Sequence, residues 1–147
     1  MTAYGLAVVG SQRVPCVGAV VFDERGRLLL VRRANPPARG SWSLPGGRIE
    51  DGESEIEACR REVAEETGLE VVVGHLIGTV ERTAAAGVTY VISDYAAQVS
   101  GGRLRAGDDA SDVGWFATDR LAGLDTAPSL VETLSGWQIL GGAPSAS

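Results

Sequence analysis

Three glutamates, Glu62, Glu65 and Glu66, lie close together in one stretch of helical pattern. At about 100° per residue, their side chains fall within a sector of roughly 100° around the helix axis. Glu62 and Glu66 repel each other as an i,i+4 pair, and negative charge near a helix C-terminus is unfavourable. A divalent cation would reverse this effect, since Mg²⁺ and Mn²⁺ bind carboxylate oxygens. The cluster therefore indicates either a metal site or a solvated helix face.

The loop before this helix favours the metal site. Gly46 and Gly47 leave the backbone open to close approach, which a metal ion or a pyrophosphate requires. Asp51 and Glu53 then place negative charge at the helix start, where it interacts favourably with the helix dipole. An ordinary turn with an N-cap would explain the loop taken alone. The loop and the glutamate helix together predict a site.

The glutamates must be positioned by a helix that packs on one side. Apolar or small residues recur at spacings of three and four over residues 54–67, which predicts a helix there. The predicted core face consists of Ile56, Cys59, Val63 and Thr67. Gly68 lies where a C-cap glycine is expected. We expect one face to pack down and a neighbouring face to gather the three carboxylates.

The remaining pattern predicts a mixed α/β domain, in which β-branched runs form strands and Gly-, Pro- or Asp-rich segments form turns. The predicted strands are residues 14–23, 27–33, 69–73, 76–82, 88–99 and 113–117. Residues 27–33 are expected to form a hairpin with 14–23, and 88–99 to pair across residues 84–87. The other predicted segments are loops 34–47 and 107–112, weaker helices 118–124 and 128–140, and a frayed tail 141–147.

The length and composition fit one domain, residues 1–147. The chain is 44% hydrophobic and 22% charged, which is ordinary for a globular protein. The net charge of -6 offers no general attraction to nucleic-acid backbones. No segment approaches the roughly 18 apolar residues of a membrane span. Cys16 and Cys59 lie in apolar runs and are expected to be buried free thiols, which favours a reducing, cytoplasmic location.

The fixed positions within residues 47–69 are similar to the Nudix box. The matching residues are Gly47, Glu53, Arg61, Glu62, Val63, Glu65, Glu66, Gly68 and Leu69. The chain therefore resembles the Nudix hydrolase family, and in particular its small prokaryotic members that act on ADP-ribose. The resemblance implies an α/β/α sandwich with a mixed β-sheet and a catalytic loop–helix–loop. It also implies hydrolysis of a phosphoanhydride bond in a nucleoside diphosphate linked to another moiety, with Mg²⁺ or Mn²⁺ as cofactor.

The resemblance also assigns roles to the residues of the box. The implied metal ligands are Glu62, Glu65, Glu66 and the backbone carbonyl of Gly46. Arg61 would orient the catalytic glutamates by pairing with Glu53. The metal would polarise the phosphoryl oxygens and lower the pKa of the attacking water.

Family members differ in the carboxylate that takes the proton from this water. It is a box glutamate in some members and a glutamate of a later loop in others. The later loop here holds Asp108, Asp109 and Asp112. By resemblance Asp109 is the best placed, as an outer metal ligand or a helper of the base, although its reach is shorter than that of glutamate. The alternative is an acidic surface turn.

Several further residues are candidates for substrate binding. Arg32 and Arg33 end a predicted strand and suit bidentate contact with phosphate, or else are solvated charges. Gly46 and Gly47 would let a pyrophosphate approach the backbone. Trp42 is either a core anchor for its loop or a platform on which a base stacks. The residues expected to be structural are His75, Trp115, Phe116 and Trp137.

The sequence leaves the substrate open. Residues 32–54 resemble enzymes acting on ADP-ribose and related sugar nucleotides, yet the downstream proline of many such enzymes is replaced by Thr83 and three alanines. The first hypothesis is ADP-ribose or a nucleotide sugar, and the second is a nucleoside triphosphate of the 8-oxo-dGTP type. A nucleotide-binding regulatory module is the non-enzyme alternative. We expect a small-molecule partner, no nucleic acid or membrane, and a monomer or homodimer.

Overall fold

The computed structural model of the protein describes residues 12–36, 38–84, 87–107, 109–128 and 130–139. The strands in these ranges are β1 (Gln12–Val21), β2 (Leu28–Arg33), β3 (Trp42–Ser43), β4 (Gly46–Arg48), β5 (Leu69–Thr83), β6 (Val88–Gly102) and β7 (Ala110–Phe116). The α-helices are α1 (Glu55–Thr67) and α2 (Leu130–Gly136), and a 3₁₀ helix covers Thr118–Gly123.

These strands form two sheets. A four-stranded sheet has the order β4-β1-β6-β5, in which β1 runs parallel to β6 and the other neighbours are antiparallel. A three-stranded antiparallel sheet has the order β3-β2-β7. The larger sheet is therefore mixed, as predicted.

Two hydrophobic cores lie on opposite sides of β1 and β2. The first core contains Val17, Ala19, Val21, Leu29, Ala58, Cys59, Val63, Leu69, Val71 and Ala97. The second core contains Val20, Leu28, Leu30, Leu121, Leu130, Leu134 and Ile139. Because successive strand residues point to opposite faces, the apolar runs of β1 and β2 are buried on both sides. Helix α1 covers one side and α2 the other, which confirms the predicted α/β/α arrangement.

Helix α1 is closed at both ends by side-chain and backbone caps. The Ser54 hydroxyl accepts from the Glu57 N–H, and the Glu57 carboxylate accepts from the Ser54 N–H. This capping box satisfies two backbone donors that the first turn leaves free. Gly68 ends the helix in the left-handed conformation at φ 75°, as a C-cap glycine does.

The inward side of α1 differs from the predicted core face. Ile56 is 46% exposed, so its placement in the core was wrong, and Ala58 is buried instead. Ile56 lies in the first turn, where no described element covers that side of the helix. At about 100° per residue, the buried arc from Ala58 to Val63 also contains Glu62 and Glu66. These two glutamates therefore lie on the inward side of the helix, not on a neighbouring face.

The predicted hairpin between the first two strands was also wrong. β1 and β2 lie in different sheets, and within the described residues an isolated bridge joins Phe22, which follows β1, to Leu28 at the start of β2. The turn over residues 23–27 forms, but β1 pairs along its length with β6 while β2 pairs with β7. Residues 34–47, predicted as a loop, contain β3 and the start of β4.

Several later boundaries differ from the prediction. β5 is one bulged strand where two were predicted, and it pairs with β6 as expected. β7 begins inside the predicted acidic loop, and the predicted helix 118–124 is a 3₁₀ helix. Helix α2 covers only part of residues 128–140. The predicted tail 141–147 lies outside the described residues.

The two cysteines are buried and free, as predicted. Burial raises the pKa of the Cys59 thiol to about 11, which keeps it in the protonated form at neutral pH. None of the helices in the described ranges has the length and apolar character that crossing a membrane requires.

Replacing Gly68 by alanine tests the left-handed cap of α1. The new Cβ would lie 2.3 Å from the Arg103 carbonyl oxygen. We expect Gly68→Ala to lose about 2–3 kcal/mol of unfolding free energy in urea, from backbone strain and this contact. Gly52 also has a positive φ, 81°, but a Cβ there would meet nothing within 4 Å. Gly52→Ala should therefore lose only about 1 kcal/mol, and equal losses would contradict a role for the Arg103 contact.

Candidate active site

The backbone at Gly46 and Gly47 contacts the inward side of α1. The Gly46 N–H donates to Glu66 Oε1 at 3.0 Å. A Cβ at position 47 would lie 2.3 Å from Glu62 Oε2, so a glycine is needed for this carboxylate to approach the loop. The two glycines thus bring β4 against two of the three glutamates.

The polar groups of Gly46 face the open edge of the sheet. The Ala19 N–H donates to the Pro45 carbonyl at 3.0 Å, and the Ile49 N–H donates to the Pro15 carbonyl at 3.1 Å. Hydrogen-bonded pairs alternate along an antiparallel ladder, so Gly46 lies at a position whose N–H and carbonyl point away from β1. The N–H reaches Glu66 in this way, and the carbonyl faces the same edge.

Arg61 links the loop, β4 and helix α1. Its Nε and Nη2 donate to the two oxygens of Glu53 at 2.6 and 3.0 Å. Its Nη1 donates to Glu62 Oε1 at 2.7 Å and to Glu65 Oε1 at 3.0 Å. Nη2 also donates to the Arg48 carbonyl at 3.0 Å. One planar guanidinium therefore fixes the relative positions of three segments.

Glu53 is the bidentate partner of this arginine. The hydrogen bonds from Arg61, together with one from the Glu50 N–H, lower the pKa of the Glu53 carboxyl. The structure thus places Arg61 against Glu53, the pairing that the family resemblance implies. Glu53 orients the arginine and takes no part in the glutamate cluster itself.

Burial makes two of the glutamates unfavourable in their ionised form. It raises the pKa of the Glu66 carboxyl to about 8, although the hydrogen bond from the Gly46 N–H opposes the shift. The Glu62 side chain is 13% exposed, and its burial raises the pKa of that carboxyl against the effect of Arg61. Glu65 is 42% exposed and lies on the solvent side. Two desolvated carboxylates of like charge fit a hard divalent cation, which would stabilise both ionised forms.

The carboxylates do not form a closed cage. Within the described ranges, no three His, Cys, Asp or Glu side chains converge closely enough to surround an ion. Arg61 binds the Oε1 atoms of Glu62 and Glu65, which leaves the Oε2 atom of each for another partner. Carboxylate oxygens beside a backbone carbonyl on a glycine-lined edge nevertheless have the donor chemistry that Mg²⁺ and Mn²⁺ prefer.

The loop before β7 brings Asp109 near the glutamates. Its charge contributes to raising the pKa of both Glu62 and Glu66. Asn35 Nδ2 donates to Asp109 Oδ1 at 3.1 Å and holds the side chain in place. Asn35 was not predicted as a site residue, because no spacing pattern connects it to the acidic loop. Asp108 lies outside the described residues.

The two arginines at the end of β2 lie on different sides of the strand. The charge of Arg33 lowers the pKa of the Glu66 carboxyl, so this side chain lies on the side of the glutamates. Arg32 is exposed, and its Nε donates to the Gly40 carbonyl at 3.0 Å. The alternation of strand side chains accounts for the difference. Of the two, Arg33 is the one placed near the candidate site.

Trp42 packs against the second core. Its ring meets Phe116 edge-on, with centroids 4.7 Å apart and planes at 63°. Its backbone N–H donates to the Asp125 carbonyl, and its backbone carbonyl accepts from the Ala127 N–H, both at 2.8 Å. These contacts favour the anchor interpretation of Trp42 over base stacking. The other aromatic residues predicted to be structural also pack against the cores: Trp115, Phe116 and Trp137.

Comparison with known proteins places this site in a family. Residues 12–143 match the family model of the NUDIX domain. The chain is 38% identical over 102 residues to an ADP-ribose pyrophosphatase of Methanocaldococcus jannaschii, covering 69% of this chain and 60% of that protein. It is 35% identical over 102 residues to an 8-oxo-dGDP phosphatase of Mus musculus, covering 67% and 30%. The NUDIX domain of Shewanella oneidensis NrtR, solved with ADP ribose, has a TM-score of 0.72 and 27% identity over 87% of this chain and 88% of that one.

The chain therefore belongs to the NUDIX domain family, which confirms the resemblance seen in residues 47–69. Members of this family generally use divalent metal ions. The chain spans 60% of the length of the Methanocaldococcus relative and 30% of that of the mouse relative.

Arg61→Lys tests whether the guanidinium positions the glutamates. Lysine keeps the charge but cannot bind Glu53, Glu62 and the Arg48 carbonyl together. In steady-state assays we expect kcat to fall by about tenfold or more, because misplaced catalytic groups slow the reaction, while KM changes little. Arg60→Lys, an exposed neighbour on the same helix, should leave kcat unchanged. Unaltered kcat in Arg61→Lys would contradict this positioning role.

Proposed function

We propose that the protein hydrolyses a phosphoanhydride bond in a nucleoside diphosphate linked to another moiety, using Mg²⁺ or Mn²⁺. ADP-ribose or a nucleotide sugar is the preferred substrate, and residues 1–147 act as one Nudix domain. The observation that carries this proposal is the pair of desolvated carboxylates, Glu62 and Glu66, held against the glycine backbone of β4. Such a pair is unfavourable without a cation and favourable with one.

Some residues of the box would bind the cation, and others orient the residues that bind it. The oxygens of Glu62, Glu65 and Glu66, with the Gly46 carbonyl, are the groups that would hold the cation. When bound there, Mg²⁺ or Mn²⁺ would polarise the phosphoryl oxygens and lower the pKa of the attacking water. Arg61 keeps the glutamates in register with the loop through its contacts on both sides.

Two carboxylates are available to take the proton from the attacking water. Glu65 is the most exposed of the three glutamates, and one of its oxygens is engaged by Arg61. Asp109 is held by Asn35 and would serve as an outer ligand or as a helper of the base. Arg33, whose charge acts on Glu66, would contact a substrate phosphate.

The names of relatives support the choice of substrate. The Methanocaldococcus relative is an ADP-ribose pyrophosphatase, and the Shewanella domain was solved with ADP ribose. The mouse relative, an 8-oxo-dGDP phosphatase, supports an oxidised guanine nucleotide as the second candidate. A nucleotide-binding module without catalysis is the third, and the intact set of three box glutamates argues against it.

The products of a substrate panel test the proposed reaction. With Mg²⁺ or Mn²⁺, the protein is expected to convert ADP-ribose into AMP and ribose 5-phosphate. Anion-exchange chromatography measures both products. Removal of the metal with EDTA should stop turnover, because the two buried carboxylates alone cannot polarise the phosphate. Release of pyrophosphate and a monophosphate from 8-oxo-dGTP, with ADP-ribose left intact, would instead establish the second candidate.

Neutral variants of Glu62 and Glu66, the two partly buried glutamates, test the metal site itself. Glu62→Gln and Glu66→Gln should each lower kcat by roughly 100-fold or more and weaken Mn²⁺ binding in calorimetry, because a ligand charge is lost. In the metal-free protein, Glu66→Gln should raise the melting temperature, since a desolvated charge is removed. Glu70→Gln, at an exposed glutamate of β5, is the matched control. Unchanged Mn²⁺ binding in both buried variants would exclude them as ligands.

A further inference from the structure

Another carboxylate, that of Asp94, is buried on the sheet that contains Gly46. Asp94, in the middle of β6, is 4% exposed, and no residue of the described ranges donates a hydrogen bond to its carboxylate. Every fully buried side-chain nitrogen or oxygen of those residues does have a partner. The Asp94 oxygens therefore retain a small contact with solvent. A buried acceptor without a donor is placed for a ligand that brings one.

Glycines on both neighbouring strands make room beside this side chain. Gly18 of β1 and Gly78 of β5 are the register partners of Asp94. A Cβ at position 18 would lie 2.2 Å from Asp94 Oδ1, and one at position 78 would lie 2.7 Å from the ring of Trp137. Neither glycine has a positive φ, so their role is to provide space. The indole of Trp137 thus lies directly on Gly78, next to Asp94.

The backbone of Asp94 is aligned with Gly46 across the sheet, although the Asp94 side chain lies on the α2 side and the glutamates lie on the α1 side. Gly46, Gly18 and Asp94 are aligned on the adjacent strands β4, β1 and β6. At about 4.8 Å per strand, the backbones of Gly46 and Asp94 are roughly 10 Å apart. This separation is comparable to the reach of a nucleotide from its phosphates to its base. A nucleotide with its phosphates at the edge of β4 can therefore bring its base towards Asp94.

The protein itself compensates little of the Asp94 charge. Burial raises the pKa of this carboxyl to about 7, and the charge of Arg82 opposes the shift only in part. Arg82 directs Nη1 to the Pro128 carbonyl. A ligand that donates N–H groups would stabilise the ionised carboxylate, and a neighbouring indole offers an apolar surface for a planar ring.

We propose that Asp94 and Trp137 form the base-recognition site of the enzyme. In this site Asp94 accepts a hydrogen bond from the exocyclic amino group of a purine, and Trp137 contacts the ring. Adenine and guanine both carry such an amino group, whereas hypoxanthine does not. The inference rests on the proposed function and narrows its substrates to amino-purine nucleotides.

Matched substrates with and without the amino group test this recognition. The wild-type kcat/KM for ADP-ribose is expected to exceed that for its inosine counterpart by about tenfold or more, and likewise dGTP over dITP for the second candidate, since the exocyclic amino donor to Asp94 is lost. Asp94→Val removes the acceptor at similar size and should bring each ratio close to one by slowing only the amino-bearing substrate. Asp94→Asn keeps an acceptor oxygen and should retain part of the preference.

A melting-temperature measurement distinguishes lost recognition from unfolding. Removing an uncompensated buried charge should not lower the melting temperature of Asp94→Val at pH 8, so a lost preference would not reflect unfolding. Gly18→Ala leaves Asp94 in the chain but displaces its carboxylate, and it should also reduce the preference. Equal loss of kcat/KM for both members of a pair in Asp94→Val, or a wild type that ignores the amino group, would overturn the inference.

Failure of the proposed base-recognition site can be distinguished from failure of the proposed hydrolysis. If the wild type turns over no nucleotide, the proposed hydrolysis is wrong, and binding then decides the recognition site. AMP and GMP should each bind more tightly than IMP to the wild type in calorimetry, and this difference should vanish in Asp94→Val. Equal binding of all three to the wild type would overturn the site irrespective of catalysis.

Discussion

The close approach of α1 to the backbone of β4 is the constraint on which the rest of the site depends. Glu62 and Glu66 lie on the inward side of the helix, and a Cβ at Gly47 would occupy the place of the Glu62 carboxylate. The same side of α1 contributes Cys59 and Val63 to the first core. Burial of these apolar neighbours supplies the free energy that holds two charges in a partly dehydrated position. Packing and chemistry therefore use one face of one helix.

Arg61 compensates only part of the negative charge of the glutamates. It binds Glu53, Glu62 and Glu65, whereas within the described residues Glu66 accepts a hydrogen bond only from a backbone N–H. Burial consequently leaves Glu66 with a pKa of about 8. The Arg61 guanidinium orients Glu62 and Glu65 without any metal. The uncompensated negative charge is concentrated at Glu66, which the guanidinium does not bind. A cation at the edge of β4 would thus meet groups that are already positioned.

Local spacing was enough to predict α1, its C-cap glycine and the glutamate cluster, and family resemblance supplied the pairing of Arg61 with Glu53. Contacts between distant segments were not predictable in this way. Asn35 and Asp109 are 74 residues apart, and no pattern connects them. Ile56 was misplaced because periodicity defines a helix face without showing how far the neighbouring sheet extends over it. The hairpin of β1 with β2 failed for a similar reason, since a turn signal does not reveal that other strands are better partners.

Two carboxylates are held against glycines of adjacent strands, Glu62 on the α1 side of the sheet and Asp94 on the α2 side. Glu62 lies over Gly47 of β4 and Asp94 over Gly18 of the adjacent β1, and a Cβ at either glycine would come within 2.3 Å of a carboxylate oxygen. Burial raises the pKa of both carboxyls, so the fold disfavours their ionised forms. Neither arrangement stabilises the protein by itself, and each would become favourable with a different ligand group, a cation at the first and an N–H donor at the second. A nucleotide bound with a metal carries both the cation and the N–H donor. Two strand spacings can match the separation between its phosphates and its base. This is the physical reason to treat the two positions as parts of one binding site.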